Sequence, residues 1–367
     1  MKKFIILGMM TGTSADGIDA KFCISDGIIL ERKPFDLSSK FSSKLREKIL
    51  EARNNPQSFL RNISKLKELD LEITMDHIRV IKKICKKFSL IPDYIGVHGQ
   101  TIFHNPKDKI SIQLGDGKKI AQMTGINTVY DFRKEDILNG GQGAPLAPIY
   151  HQMIINSIKI EQPAIFLNLG GIANITLCNA NDLYGYDIGP GNCLIDDICY
   201  LRLGKNFDKD GKIANAGKIN FEFVNKALKD RYFLKQKPKS LDRSAFNYLL
   251  HDPILNGLSN KDAVSSITYF TSKYIIEFLN NHVPSVKSIV VSGGGIQNIT
   301  LLRHIKKEIK KEINLYSSEQ IGGDSQMIEA ELIAFLTARK INNLPSTFPE
   351  TTGVKTPQIC GSIAYPS

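Results

Sequence analysis

One arrangement of local structure is written twice in this chain of 367 residues. Phe4 to Leu7 reads as a strand that runs into a polar glycine turn. Ile18 to Ile24 reads as a second strand, Asp26-Gly27 as a hairpin signal, and Ile28 onward as a third strand. After residue 160 the order recurs: a strand from Ala164 to Leu169, a glycine turn, a strand from Ala173 to Cys178, a turn from Asn179 to Asp182, and a strand from Leu183 to Ile188. Helical sequence follows each meander. A repeated unit of this kind predicts two α/β lobes, each a sheet backed by helices, around one cleft.

Behind the first meander, Ile63, Leu66, Leu69, Ile73, Val80, Ile81 and Ile84 recur at helical spacing and stop before Pro92; Tyr94 to Val97 then returns to a strand. In the second half, Ser288 to Val291 is a buried strand entering Gly293-Gly294-Gly295, and Leu301 to Ile313 reads as a basic amphipathic helix. Between the halves lies Asn139-Gly140-Gly141-Gln142-Gly143-Ala144-Pro145, a loop by its three glycines and a candidate hinge. These signals divide the chain into an N-terminal lobe at 1–145 and a C-terminal lobe at 146–340. The tail 341–367, too polar for a third core, is expected to pack back on the first lobe.

Composition removes several classes of function. With 42% hydrophobic residues, the chain can bury two cores. It has no run of about eighteen uncharged apolar residues, and its apolar start passes straight into glycine, threonine and serine, so a cytoplasmic protein without membrane partners is expected. The six cysteines form no CxxC pair, which excludes a disulfide framework or a tetrahedral zinc site as the organising feature. The net charge of +11 is spread over helix faces in which lysine alternates with glutamate, as in Lys306, Lys307, Glu308, Lys310, Lys311 and Glu312. That is a solvated face rather than a nucleic-acid track. The excess charge is left to solubility and to attracting small anions.

Glycine at a strand end lets backbone N–H groups approach an anion with no side chain between them. Gly12-Thr13-Ser14 follows the first strand, and Gly170-Gly171-Ile172 stands at the matching place in the repeat. Either alone could be a plain hairpin turn; two at equivalent positions fit a grip on a polyphosphate. Asp16 and Asp19 flank the first turn. Asp187 closes the third strand of the repeat, just before Gly189-Pro190-Gly191-Asn192, and supplies a carboxylate of the kind that phosphoryl transfer requires. No GxxxxGK[ST], no strand-borne GxGxxG and no protein-kinase signature is present. His98-Gly99-Gln100-Thr101 ends a predicted strand, where open α/β sheets bind ligands. Asp131-Phe132-Arg133 offers a guanidinium fork for a carboxylate or phosphate, or a surface ion pair. Ser292 to Asn298 suits a planar base or a tight turn. Glu329, on a helix predicted from Ser325 to Arg339, reads by itself as a solvent-facing charge.

Taken together, Gly8-Met9-Met10-Thr11-Gly12-Thr13-Ser14-Ala15-Asp16-Gly17-Ile18-Asp19, His98 to Thr101, Asp131 to Arg133, Gly140 to Pro148, Asn168 to Asn174, Asp187 to Asn192 and Ser292 to Asn298 resemble the anhydro-N-acetylmuramic acid kinase family, in order, as far as Thr351-Thr352-Gly353. The resemblance implies a duplicated actin-like (ribonuclease H-like) ATPase fold, ATP and Mg²⁺ as cofactors, and a homodimer. It implies hydrolytic opening of the 1,6-anhydro ring of anhydro-N-acetylmuramic acid, with phosphorylation to N-acetylmuramic acid 6-phosphate, in murein recycling. By the same carry-over, Gly12, Thr13, Ser14, Ala15, Asp16, Gly17, Ile18 and Asp19 form the ATP phosphate loop, with Asp16 or Asp19 near Mg²⁺. Asn168, Gly170, Gly171 and Asn174 form the second phosphate loop, and Gly293, Gly294, Gly295 and Asn298 lie on the adenosine side. Asp187 is the base that activates water. His98, Gln100, Asp131, Arg133 and Glu329 hold the sugar, Arg133 taking its lactyl carboxylate. Two departures stand out: Leu241-Asp242-Arg243-Ser244 before Phe246 replaces the family's Thr-Gly-Arg-Glu, and Thr11 replaces a serine. The competing functions are a kinase of another acidic amino sugar on this fold, and an actin-like or chaperone-like ATPase.

Overall fold

A computed structural model describes residues 1–12, 14–180, 182–229, 241, 243–321 and 326–366, with backbone alone at 243 and 244. Thirteen strands lie among them. In chain order they are β1 (Phe4–Met10), β2 (Gly17–Ser25), β3 (Leu30–Lys40), β4 (Tyr94–Val97), β5 (Gln100–Asn105), β6 (Ile110–Leu114), β7 (Asn127–Tyr130), β8 (Ala164–Leu169), β9 (Ile172–Asn179), β10 (Asp182–Pro190), β11 (Ser288–Ser292), β12 (Asn314–Ser317) and β13 (Ser362–Ala364).

Two compact units result, Met1–Ser157 with Gln326–Ser367, and Ile158–Ser325. The first holds a sheet ordered β13-β7-β4-β1-β2-β3, the second a sheet ordered β10-β9-β8-β11-β12. Counted from their own first strands, both sheets run third, second, first, fourth, fifth. The first three strands form an antiparallel meander, and the fourth and fifth add in parallel to the first. This is the duplicated α/β fold that the sequence predicts.

Local chemistry explains the elements. The Asp26 carboxylate accepts from the N–H groups of Ile28 and Ile29, and Gly27 takes φ +83°, so the chain reverses between β2 and β3. The long amphipathic helix spans Ile63–Phe88, capped by the Asn62 side chain on Lys65 N–H and ended by Ser89 at φ 51°. Its Leu69, Ile73, Val80, Ile81 and Ile84 enter the first core. In the second unit, the basic helix spans Ile299–Glu308 rather than continuing to Ile313, because Ile309 is extended and the chain turns into β12 beside β11.

The units do not divide at residues 145 and 340. The helix Ile328–Ile341, expected in the second lobe, belongs to the first unit, as does the helix Pro148–Ser157. The reason is close packing at two glycines. A Cβ on Gly8 of β1 would stand 2.0 Å from the Ala330 carbonyl oxygen, and one on Gly96 of β4 would stand 2.1 Å from Thr337 Oγ1, so the helix backbone rests directly on the sheet. A buried charge cluster reinforces it. The Glu331 carboxylate, without exposed surface, meets Lys21 Nζ at 2.9 Å and Arg32 Nε at 2.8 Å, and accepts from the Tyr150 hydroxyl at 2.5 Å. The C-terminal strand β13 pairs with β7 in the same unit. Among the described residues no helix is long and apolar enough to cross a membrane, and all six cysteines are free.

Candidate functional site

In the first unit, parallel β1, β4 and β7 are neighbours, so their C-terminal ends share one edge of the sheet. That edge brings together the loop after Met10, His98 after β4, and Asp131 and Arg133 after β7. The loop between the paired residues Met10 and Asp19 is longer than its counterpart in the repeat. The Ala15 N–H donates to the Gly12 carbonyl, and Ala15 is held at φ 55°, a backbone region that a non-glycine residue seldom occupies. Ala15 and Ile18 turn their side chains into the core. Gly17 packs against β3, where a Cβ would stand 2.3 Å from the Ser39 carbonyl oxygen. Thr13 lies outside the described residues.

The two acids of this loop differ. Exposed Asp16 pairs with Arg46 at 3.2 Å, and Arg46 also donates to the Ser14 carbonyl. Asp19, half-buried on β2, accepts from the Ser38 hydroxyl at 2.5 Å. Its charge acts on Glu329, whose carboxyl is raised above the usual range by crowding of surrounding protein and then by Asp19, against the opposing pull of Arg133. Glu329 is nonetheless exposed at the protein surface, as its sequence reading by itself suggests.

The sugar-side candidates divide into groups with open valences and groups already engaged. The His98 ring is buried, with Nδ1 2.8 Å from the Gly99 carbonyl oxygen and Nε2 3.1 Å from Arg133 Nε. A carbonyl can only accept, so Nδ1 carries the proton and Nε2 accepts from Arg133. Burial, then the Arg133 charge, pulls His98 down to about 3, which keeps that neutral tautomer at ordinary pH. His98 therefore orients Arg133. Arg133 also donates through Nη1 to the Gly143 carbonyl at 2.7 Å, while Nη2 makes no hydrogen bond with any described residue. Burial lowers Arg133 to about 10, so it stays a cation. Gln100 ties β5 to the loop by donating to the Gly12 carbonyl at 3.2 Å. Asp131, at φ 58°, is raised by burial, with Lys134 opposing.

In the second unit a polar row crosses the sheet. Ser292 of β11 stands beside Asn168 of β8, Asn168 beside Asn174 of β9, and Asn174 beside Asp187 of β10. Residues paired across strands share a face, so three motifs far apart in sequence meet at one level. Just beyond the row the glycine turns interlock. The Asn192 N–H donates to the Gly170 carbonyl at 2.7 Å, and the N–H groups of Gly191 and Cys193 donate to the Gly171 carbonyl. A Cβ on Gly295 would stand 2.6 Å from Leu169 Cβ, and one on Gly293, at φ +82°, would stand 2.3 Å from Asn168 Oδ1. Gly171 and Gly294, by contrast, have no heavy atom within 4 Å of that position. Their backbones lie open. Asn298 caps the Ile299–Glu308 helix through Leu301 N–H and borders a cavity of about 340 Å³ that Gly294, Asn192, Asp196, Phe207 and Asp208 also line.

Asp187 is half-buried where β10 slips register between Asp187 and Gly189. Such a bulge re-aims a side chain. Its Oδ2 accepts from Leu241 N–H at 2.7 Å, and burial pushes its carboxyl up to about 6 against that hydrogen bond. The segment that departs from the family pattern thus has a structural role, since the backbone at 241 steadies Asp187 and Phe246 is buried beside Tyr274. Asp242 lies outside the described residues. Sequence reasoning missed the Leu241 donor, the cavity residues Asp196, Phe207 and Asp208, and Asp136 behind the glycine loop.

The model of the family described as anhydro-N-acetylmuramic acid kinase matches residues 4–366. The chain belongs to that family. A relative of that name from Pelagibacter ubique is 38% identical over 98% of both chains, and one from Methylobacterium nodulans is 34% identical over 98% of this chain and 99% of its own. Among solved structures, a ROK hexokinase from Thermus thermophilus covers 92% of this chain and 99% of its own at 9% identity, with a TM-score of 0.41. In this member of the kinase family, His98 and Asp131 to Arg133 follow β4 and β7 of the first sheet, and Asn168, Asn174, Asp187 and Ser292 stand in register in the second.

Proposed function

We propose that this chain uses ATP and water to open the 1,6-anhydro ring of anhydro-N-acetylmuramic acid and phosphorylates the freed hydroxyl, giving N-acetylmuramic acid 6-phosphate for murein recycling in the cytoplasm. Asp187 carries the reading. A carboxylate steadied by one backbone N–H and raised to about 6 is still ionised at neutral pH and has the proton affinity of a useful base. Asp187 takes a proton from water as the water attacks the anomeric carbon and its bond to the bridge oxygen breaks; that oxygen attacks the γ-phosphate of ATP, and ADP leaves. The cationic Arg133, held by His98 and Gly143, binds the lactyl carboxylate through Nη2. Gln100, Asp131 and Glu329 are assigned to the sugar's polar groups.

For ATP, the open backbones at Gly171 and Gly294 give room for close approach, and the nearby cavity suits the adenosine. Thr11 Oγ1 is buried with no hydrogen-bond partner among the described residues, as expected of a loop that a polar ligand completes, and Gln100 Oε1, likewise unpartnered, is left for the sugar. Asp16 and Asp19 are the acids proposed to hold Mg²⁺. No group of three or more His, Cys, Asp or Glu among the described residues could hold a metal, and Mg²⁺ bound with nucleotide needs only one or two carboxylates beside phosphate oxygens. When bound, Mg²⁺ neutralises charge developing on the phosphates. Assembly as a homodimer belongs to the same proposal. Asp187→Asn tests the reading: ATP binding is retained and product formation falls at least about a hundredfold, whereas near-normal turnover would remove Asp187 as the base.

A further inference from the structure

The loop Asn139–Gly143 carries three glycines, and a buried carboxylate organises it. Asp136, without exposed surface, accepts from Gly143 N–H at 2.6 Å through Oδ2 and from the Thr352 hydroxyl at 2.6 Å through Oδ1, while its own carbonyl accepts from Gly141 N–H at 2.8 Å. Thr352 grips the loop a second time, its carbonyl accepting from Gln142 N–H at 2.9 Å. The glycines are what permit this. Gly140 and Gly143 take φ +88° and +67°, and a Cβ on Gly141 would stand 2.1 Å from Asp136 Oδ2.

A buried carboxylate is costly unless its oxygens are met by donors. Here the donors are the Gly143 N–H and one tail hydroxyl, so the carboxylate converts a pliable glycine segment into a fixed one. The fixed atom that matters is the Gly143 carbonyl, which receives Arg133 Nη1 at 2.7 Å. His98 holds Nε, so the guanidinium is pinned at two of its three nitrogens and Nη2 is aimed by both. Remove the loop's anchor and one of the two pins becomes free to move.

We propose that Asp136 and Thr352 are positioning residues for the acidic group of the sugar: through the Gly143 carbonyl they set the direction in which Arg133 presents its free nitrogen. The reading rests on Arg133 as the carboxylate ligand, and it gives the Thr351-Thr352-Gly353 tail and the glycine loop a shared role. Neither Asp136 nor Thr352 touches substrate in this scheme. Their effect falls on substrate binding rather than on the nucleotide.

The test is steady-state kinetics on the full-length protein, varying anhydro-N-acetylmuramic acid and ATP separately, for Thr352→Val, Thr352→Ser, Asp136→Asn and Arg133→Ala. Thr352→Val, which keeps shape and loses the donor, is expected to raise KM for the sugar at least about fivefold while KM for ATP stays within a factor of about two. Thr352→Ser, which restores the hydroxyl, returns the sugar KM to the parent value, and Asp136→Asn behaves as Thr352→Val or worse. If Arg133→Ala raises the sugar KM but neither Thr352→Val nor Asp136→Asn does, the positioning role is overturned and the carboxylate role of Arg133 survives. If Arg133→Ala leaves the sugar KM unchanged, the carboxylate reading fails and the proposal fails with it. Equal shifts in the sugar and ATP constants, or loss of melting temperature alone, would show a merely structural role and also overturn it.

Discussion

Turnover by this protein is expected to have an acid limit set by Asp187. Burial raises its carboxyl to about 6, and the 2.7 Å bond from Leu241 N–H opposes a further rise. The base works only when ionised, so with that pKa the working fraction is about 0.9 at pH 7 and about 0.1 at pH 5, and kcat/KM for the sugar falls roughly tenfold between them. An ordinary aspartate, near 3.9, would lose less than about a tenth over the same interval. His98, at about 3, cannot produce the limb. Phosphate groups titrate near pH 6 as well, and a second arm separates the two. Leu241→Pro removes the donor. A hydrogen bond to a charged group contributes about 1.5–3 kcal/mol, or about one to two pKa units, so the limb should move up to about pH 7–8. The assay is initial ADP release at saturating ATP and subsaturating sugar, from pH 5 to 8.5. A parent profile flat from pH 5 to 7, or a limb that stays in place in Leu241→Pro, would refute the assignment.

Three further outcomes follow from packing. Gly171 has open space where a side chain would go, so Gly171→Val should leave the melting temperature nearly unchanged and raise KM for ATP; Gly8→Ala, whose Cβ would stand 2.0 Å from the Ala330 carbonyl oxygen, should instead destabilise by about 1–3 kcal/mol in urea unfolding. If both variants only destabilise, Gly171 is not a nucleotide contact. Glu331→Gln removes the buried charge that Lys21 and Arg32 meet and should cost about 3–5 kcal/mol in the same experiment. A loss below about 1 kcal/mol would mean that the cluster is dispensable to the first unit.

The duplicated meander was legible because strand alternation and glycine turns are local signals, and Ala164 to Leu169 and Tyr94 to Val97 match their predicted strands residue for residue. β12 was not. Asn314-Leu315-Tyr316-Ser317 is short and half polar, and it becomes a strand only because β11 lies beside it. The Ile328–Ile341 helix was assigned to the wrong half since its partners, Gly8 and Gly96, act by lacking side chains, which leaves no pattern in the helix itself. Among the proposed site residues, Asp187 stands out in the sequence by ending a strand before a glycine run. Its helper at 241 is a backbone N–H, which any residue but proline supplies. Asp136 is one of three charges in Lys134-Glu135-Asp136-Ile137-Leu138, and only the loop folded over it shows it to be buried.

Incubation of the protein with ATP, Mg²⁺ and anhydro-N-acetylmuramic acid in ¹⁸O-labelled water, followed by mass spectrometry of the sugar, tests hydrolytic phosphorylation most directly. The expected product is heavier than the substrate by one phosphoryl group and one water, with the label retained in the sugar. A product carrying phosphate without the added water, or no phosphorylated sugar at all, would contradict it.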